Sequence, residues 1–449
     1  MEGQPNSPDL SRIGFHYFPD TAHYREGDLR AWLPELRALS ASWLVLKAPL
    51  NRAIPEPFLE GLLAAGIQPI LHFQTQLSGT PPPEEMALLF ESYSRWGVRD
   101  VVLFDRPNRR RTWIERDWAQ TELVERFIDI FLPAAQTALE AGLTPVFPPL
   151  EPGGDYWDTA FLRSALQAVQ RRGSQQIIRQ LTLSAYAWPD NLPLNWGAGG
   201  PERWPAARPY GAATGEEDQR GFHIFDWYLA IGEAVLGFRP RIHLLGTGSQ
   251  IGAQREPSLP PVDEIAHTDR NIELLHLLIG GGDSEQEADE LDSIPVEVGS
   301  ACFWLLAADE ISPHLDQAWF KPDGHTMPVV GALKQLLAEG VGNAPAGKGA
   351  LRPGHVLGAK RPIAHYLLLP SYEWGIADWH LEAVRSFVKH HRPTVGFSLV
   401  EASQSTFVSV MGGLQDFPEE ILEELRSAGC TVERINGDGI TIAPIRAEV

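Results

Sequence analysis

From Ile13 to about Ala338, short apolar runs alternate eight times with stretches of helical period, and that rhythm leaves few folds open to the chain. The runs cover residues 13–18, 43–47, 68–73, 101–104, 143–147, 181–186, 241–245 and 296–305. Each is short and largely apolar, which is what parallel strands covered on both faces require. The helical stretches between and after them span 28–39, 55–65, 83–96, 121–141, 159–172, 218–236, 269–279 and 327–338. Several open on Asp, Thr or Pro, and Gly66, Gly97, Gly142 and Gly173 stand at or near helix ends, as cap chemistry favours. Eight such units make a (β/α)8 TIM barrel the expected α/β fold, with its functional face at the C-terminal strand ends. An open doubly wound sheet is the alternative, which the regular count disfavours.

The 449 residues are more than one ordinary core accommodates. Residues 343–358, NAPAGKGALRPGHVLG, lack periodicity and read as a linker. Beyond it, strand-like runs at 363–369, 394–400, 407–411, 431–435 and 439–445 enclose helical stretches at 379–390 and 417–428. The expected organisation is a barrel over 1–342, the linker, and a smaller, Rossmann-like α/β domain over 359–449.

Several function classes are disfavoured. A formal net charge of −21 argues against nucleic acid and anionic membrane surfaces as general partners. No apolar run is long enough to span a bilayer. The opening MEGQPNSPDL has neither the basic nor the apolar region of a secretory signal, so a cytoplasmic location is expected. The two cysteines, Cys302 and Cys430, form no disulfide framework or metal pattern. No Gly-x-Gly-x-x-Gly follows a strand, no phosphate loop occurs, and no His/Asp/Glu group has metal-site spacing, so no cofactor and no metal are expected. The 14 tryptophans include Trp113, Trp118, Trp157, Trp188, Trp196 and Trp204 in loop-like contexts. Such residues either stack on sugar rings or pack loops onto the barrel.

The strand ends carry the chemistry. In order they present His16 and Asp20, Lys47, His72 and Gln74, Asp105 and Arg106, then Glu151 and Asp155. Tyr186 and Trp188, Thr247 and Gln250, and Trp304 with Asp309 and Glu310 follow. The segments GFHYFPD, VVLFDRPN, LSAYAWPDN, RIHLLGTGSQIG and ACFWLL, in that order, resemble the retaining glycoside hydrolase barrels of the clan A type, the cellulase and xylosidase superfamily. That resemblance implies a Glu acid/base in Asn-Glu-Pro after strand four and a nucleophile in Thr-Glu-x-Gly after strand seven. It also implies that Trp304 is a sugar platform and that Lys47 replaces a site Arg. In this chain the acid/base position holds Arg106 and the nucleophile position holds Thr247. Retaining hydrolysis needs two carboxylates. Arginine does not release its proton in a protein, and a threonine attacks only beside a base.

The resemblance therefore implies a glycoside-hydrolase-like barrel that binds a carbohydrate or sugar-derived ligand without retaining chemistry. The candidate ligand-binding residues are His16, Lys47, His72, Asp105, Arg106, Asn108, Tyr186, Trp188, Thr247, Gln250 and Trp304. Arg106, with Arg109–Arg111 nearby, suits the carboxylate or phosphate of an anionic sugar, or else pairs internally with Glu151. Lys47 has a similar alternative, a neighbouring acid. A second function is an active glycoside hydrolase with relocated acids, foremost Asp105 and Glu151, then Asp155, Asp309 and Glu310. Strand alternation, however, turns Asp105 to the opposite face from Arg106. A third is a structural or assembly protein. In the C-terminal part, Gly412, Gly413, Val432, Arg434, Ile435 and Gly437 resemble the pattern of a bacterial cell-wall-binding repeat. Its plain reading is a β-turn-α-β unit of a small domain.

Overall fold

The computed structural model describes residues 10–77, 82–210, 215–279, 294–342, 363–370, 388, 393–403, 405–412 and 417–435. The chain separates into two compact units, Met1–Ala344 and Pro345–Val449. The linker 343–358, most of the helical stretch 379–390 and the run 439–445 lie outside the described residues.

The first unit is an eight-stranded parallel barrel. Its strands are β1 (Ile13–His16), β2 (Trp43–Lys47), β3 (Gln68–Phe73) and β4 (Asp100–Leu103), then β5 (Thr144–Val146), β6 (Leu183–Ala187), β7 (Ile242–Thr247) and β8 (Val298–Phe303). They pair in the order β5-β4-β3-β2-β1-β8-β7-β6, every pair parallel. A parallel bridge between Val146 and Thr182 joins β5 to the entry of β6, and Phe147 N–H donates to the Thr182 carbonyl at 2.8 Å. The cylinder is thereby nearly closed, which shields the sheet edges that an open sheet would expose.

Two apolar layers explain why the strands read as continuous hydrophobic runs. Alternate residues fill the cylinder: Val45, Ile70, Val102, Val146, Leu245 and Cys302 pack together inside it. Their neighbours, such as Phe15, Leu44, Leu71 and Val101, face the ring of helices. With a period of two and both faces buried, no polar alternation survives to mark the strands.

Helix ends differ in detail from the sequence reading. Gly66, Gly97 and Gly142 adopt φ of +81°, +88° and +87°, the left-handed geometry that closes a helix. Gly173 does not: its φ is −73°, and it follows the helix Asp158–Arg172 in extended conformation. The helix expected from residue 218 begins at Ile224, because the Asp218 carboxylate accepts from Arg220 and Trp196 instead of capping a helix.

The second unit is a four-stranded parallel sheet in the order β10-β9-β11-β12, formed by β9 (Ile363–Leu368), β10 (Thr394–Gly396), β11 (Ser405–Met411) and β12 (Thr431–Ile435). The run 394–400 is strand only to Gly396 and then winds into the helix Leu399–Ser403, with Ala402 N–H donating to the Ser398 carbonyl at 3.0 Å. A short apolar run does not by itself distinguish the two conformations. The helix Glu419–Ser427 links β11 to β12 as a right-sized parallel crossover, and Arg434 donates to the Gly412 carbonyl at 3.0 Å. No helix among the described residues is long and apolar enough to cross a membrane.

Candidate functional site

The C-terminal ends of the strands build a mouth with two unlike sides. One side is polar and runs over four consecutive strands: His16 ends β1, Lys47 ends β2, His72 lies in β3 and Asp105-Arg106 follow β4. The other is aromatic. Tyr186 in β6 stacks on Trp188 with ring centroids 5.5 Å apart and planes 10° apart, and Trp188 meets Trp304 edge-on at 6.2 Å. Trp304 completes the circuit by packing against His16 at 4.5 Å.

Gly246 makes the aromatic side possible. A Cβ at this β7 position would lie 2.3 Å from Cη2 of Trp188, closer than side-chain carbons approach, and a tight 3.0 Å from Cδ1 of Tyr186. Trp188 and Trp304 are both half-buried, so part of each indole faces solvent. Trp304 is held in place by its Nε1–H, which donates to Gln317 at 2.7 Å.

The end of β4 departs from strand geometry. Phe104 and Arg106, neither of them glycine, adopt φ of +75° and +44°, a sparsely populated conformation for such residues. Two left-handed residues flanking Asp105 cancel the usual alternation. Asp105 therefore faces the mouth together with Arg106, and the expectation that it points away is corrected. Its Oδ1 accepts from the Tyr186 hydroxyl at 2.7 Å, and its Oδ2 lies 3.4 Å from Arg106 Nε.

Arg106 is the hub of this corner. Its Nη1 donates to Glu151 Oε2 at 3.1 Å, and its guanidinium carbon lies 4.5 Å from the centroid of the Tyr186 ring. Arg109 reaches the same Glu151 oxygen at 3.1 Å. Burial works against the Arg106 charge, but Tyr186, Asp105 and Glu151 outweigh it, so its pKa is raised and the group stays a cation. Burial likewise raises the Tyr186 phenol well above its ordinary range, and the Asp105 charge adds to the shift. The internal pairing of Arg106 with Glu151 is thus present, while Arg110 and Arg111 are exposed and Arg110 pairs with Glu115 at 2.5 Å.

The histidines differ sharply. His72 donates from Nε2 to the Phe104 carbonyl at 3.0 Å and accepts at Nδ1 from Gln74 at 3.3 Å, so both nitrogens are occupied within the protein. His16 is 1% exposed, yet neither ring nitrogen has a partner among the described residues. Burial, then the neighbouring His72, Lys47, His314 and Arg106, push its pKa well below the ordinary histidine range. The Lys47 ammonium touches only the Pro19 carbonyl, at 3.3 Å, and pairs with no acid among the described residues.

The remaining candidates lie further from ligand reach. Asn108 is fully buried and ties two loops together: it donates to the carbonyls of Glu151 at 2.9 Å and Tyr156 at 3.0 Å, and accepts from Glu151 N–H at 2.9 Å. Thr247 is fully buried, and its hydroxyl donates to the Ala187 carbonyl at 3.2 Å with no base beside it among the described residues. Gln250 is half-buried in the loop after β7. Of the other acids, Asp155 accepts from Arg110 N–H at 2.8 Å and Glu310 is exposed.

The fold also brings together Asp20, His23 and Asp309, a group that sequence spacing does not reveal. His23 lies between the two carboxylates, with Nδ1 2.9 Å from Asp20 and Nε2 3.1 Å from Asp309. One ring nitrogen faces each acid, which is an ion-pairing arrangement rather than three donors converging on one ion. Among the loop tryptophans, Trp113 and Trp204 donate to the carbonyls of Pro107 and Ala198, and Trp157 is 6% exposed. They pack loops; Trp188 is the one that joins the mouth.

No family model matches the sequence, and no curated protein matches it. Solved structures similar to the chain include a family 39 glycoside hydrolase from Bacteroides cellulosilyticus WH2, at 11% identity and TM-score 0.46, covering 74% of this chain and 65% of that one. A monomeric beta-xylosidase from Caulobacter crescentus CB15 is 12% identical with TM-score 0.47, covering 74% and 69%. An endo-beta-1,3-glucanase of family GH128 from Sorangium cellulosum is 14% identical with TM-score 0.40, covering 72% and 97%. At such identities no residue correspondence follows from the likeness.

Proposed function

We propose that the barrel mouth binds a carbohydrate and does not run two-carboxylate glycosidic cleavage. The observation that carries the reading is the use of Arg106 as shared counter-ion by Asp105 and Glu151, acids that follow β4 and β5. Both serve the protein as acceptors, whereas a retaining or inverting pair needs one carboxyl to hand its proton to the leaving oxygen. The Trp188 and Trp304 faces, next to the polar groups of β1 and β2, suit a sugar ring, which has an apolar C–H face and a polar rim.

The test is a glycan array and calorimetry alongside a panel of chromogenic aryl glycosides. Saccharide binding without turnover is expected, with Trp304→Ala weakening binding by about tenfold or more, the scale of one lost aromatic contact. Robust turnover by the wild-type chain would refute it. One observation favours a second reading: the left-handed backbone at Phe104 and Arg106 turns Asp105 into the mouth, where the Tyr186 hydroxyl meets it. An active hydrolase built on Asp105 requires that Asp105→Asn abolish a measurable wild-type activity.

A further inference from the structure

We infer that the ligand of this mouth carries a carboxylate, and that Lys47 and His16 are the residues that read it. The inference rests on the carbohydrate reading above and deepens it. Sequence alone offers Arg106 either as an anion receptor or as an internal partner of Glu151; in the fold Arg106 and Arg109 are both engaged by Glu151, and Arg106 also faces Asp105. Lys47, by contrast, pairs with no acid among the described residues, where its ammonium hydrogen-bonds only to the Pro19 carbonyl, at 3.3 Å.

His16 stands beside it. In the β1–β2 pairing His16 is opposite Val45, so Lys47, two residues on, projects from the same face one step nearer the mouth. The imidazole is buried, with both nitrogens unpartnered among the described residues. A buried donor left unmatched costs about 1–3 kcal/mol, which makes a matched occupant the expected state of such a site. His72 does not compete for that occupant, since Phe104 and Gln74 already take its nitrogens.

The donor set selects the anion. A neutral His16 offers one N–H and Lys47 offers one compact positive charge. One cationic group beside one neutral N–H donor matches the single charge of a carboxylate. A phosphate monoester, with up to two charges, would leave a charge unmet. Because the Trp304 ring lies 4.5 Å from His16, a sugar stacked on Trp304 directs a ring substituent toward this pair. A carboxylated sugar of the uronic-acid class fits both parts at once, whereas a neutral sugar leaves Lys47 without a counter-charge.

The experiment uses the full chain and matched ligands: oligomers of galacturonate, glucuronate and mannuronate, each with its methyl ester, plus galactose 6-phosphate. Calorimetry should give at least one acid bound about tenfold or more tightly than its ester, and added salt should weaken the acid selectively. Lys47→Met should bring the acid-to-ester ratio to within about twofold, while Lys47→Arg, which keeps the charge, should retain the preference. Equal binding of acid and ester by the wild-type chain overturns the inference but leaves the carbohydrate reading standing. So does an unchanged ratio in Lys47→Met, or tighter binding of the phosphosugar. If neither these ligands nor a neutral glycan panel binds, the carbohydrate reading itself falls. Should Lys47→Met fail to fold, the wild-type ratio and its salt dependence still decide.

Discussion

Asp158 offers a quantitative test of how burial governs the layer beneath the mouth. It is the first residue of the helix Asp158–Arg172 and is fully buried. Its carboxylate accepts from Gly153 N–H at 2.9 Å, from Gln219 at 2.7 Å and from the Tyr228 hydroxyl at 3.0 Å, and so anchors the loop that follows Glu151. Desolvation by burial is the largest influence and exceeds these hydrogen bonds, raising the pKa from 3.8 to about 6. A displacement of that size corresponds to about 3 kcal/mol. The sign follows from linkage. At low pH, with the proton on in both states, the group contributes nothing. As pH rises from 3.8 toward about 6, the unfolded chain releases its proton first and the folded state loses stability. Above that window the penalty is constant. The helix N-terminus offsets about 0.5 kcal/mol of it. Asp158→Asn keeps the shape, accepts from Gly153 and Gln219 through its oxygen, and donates to Tyr228. Urea denaturation should therefore find Asp158→Asn more stable than wild type by about 2 kcal/mol at about pH 7.5, and nearly equal at about pH 4. Asp158→Ala, which strands three partners, should be destabilised at both. A pH-independent gap, or an Asn variant weaker than wild type at neutral pH, would refute the reasoning.

Other outcomes follow from the same geometry. Gly246→Ala should push Trp188 off Tyr186, lowering stability by about 1–3 kcal/mol and weakening saccharide binding, as thermal unfolding and calorimetry would register. Asn108→Ala should cost about 1–3 kcal/mol, because it leaves half-buried backbone groups of Glu151 and Tyr156 without their partner; chemical denaturation measures this, and a loss under about 0.5 kcal/mol would contradict the role assigned to that side chain. His16 has a depressed folded pKa, so the unfolded chain takes a proton first as pH falls below 6.5, and stability declines with acidification. His16→Asn should flatten that decline in a series of melts from neutral to acidic pH.

The barrel was legible because its signal is local and repeated. All eight strands lie within or against the apolar runs read from sequence, with ends shifted by a few residues. The site was legible only as a set of strand-end positions. His16, Lys47, His72 and Trp304 could be assigned to the mouth from their place in the repeat, but their partners could not. The occupied nitrogens of His72 follow from contacts to Phe104 and Gln74 that no spacing rule encodes, and no such contact reaches the His16 nitrogens among the described residues. The Asp20–His23–Asp309 group was missed because Asp309 follows β8 while the other two follow β1, strands adjacent only once the cylinder has closed.

Hydrophobic periodicity by itself determined eight buried parallel strands and favoured a barrel over an open sheet, because burying both faces of every strand depends on residue type at intervals of a few positions. The resemblance in the strand-end segments adds an expectation, that Arg106 and Thr247 occupy positions where a retaining enzyme of that kind carries carboxylates. Tertiary structure alone decided the charges. Arg106 is joined to Glu151 across 45 residues, and Asp105 to Tyr186 across 81, so of the two candidate cations Arg106 is neutralised internally while Lys47 pairs with no acid among the described residues. Electrostatic partnership depends on distances of a few ångström between loops remote in sequence, and on a backbone turn at Phe104 and Arg106 that uses no glycine to announce it.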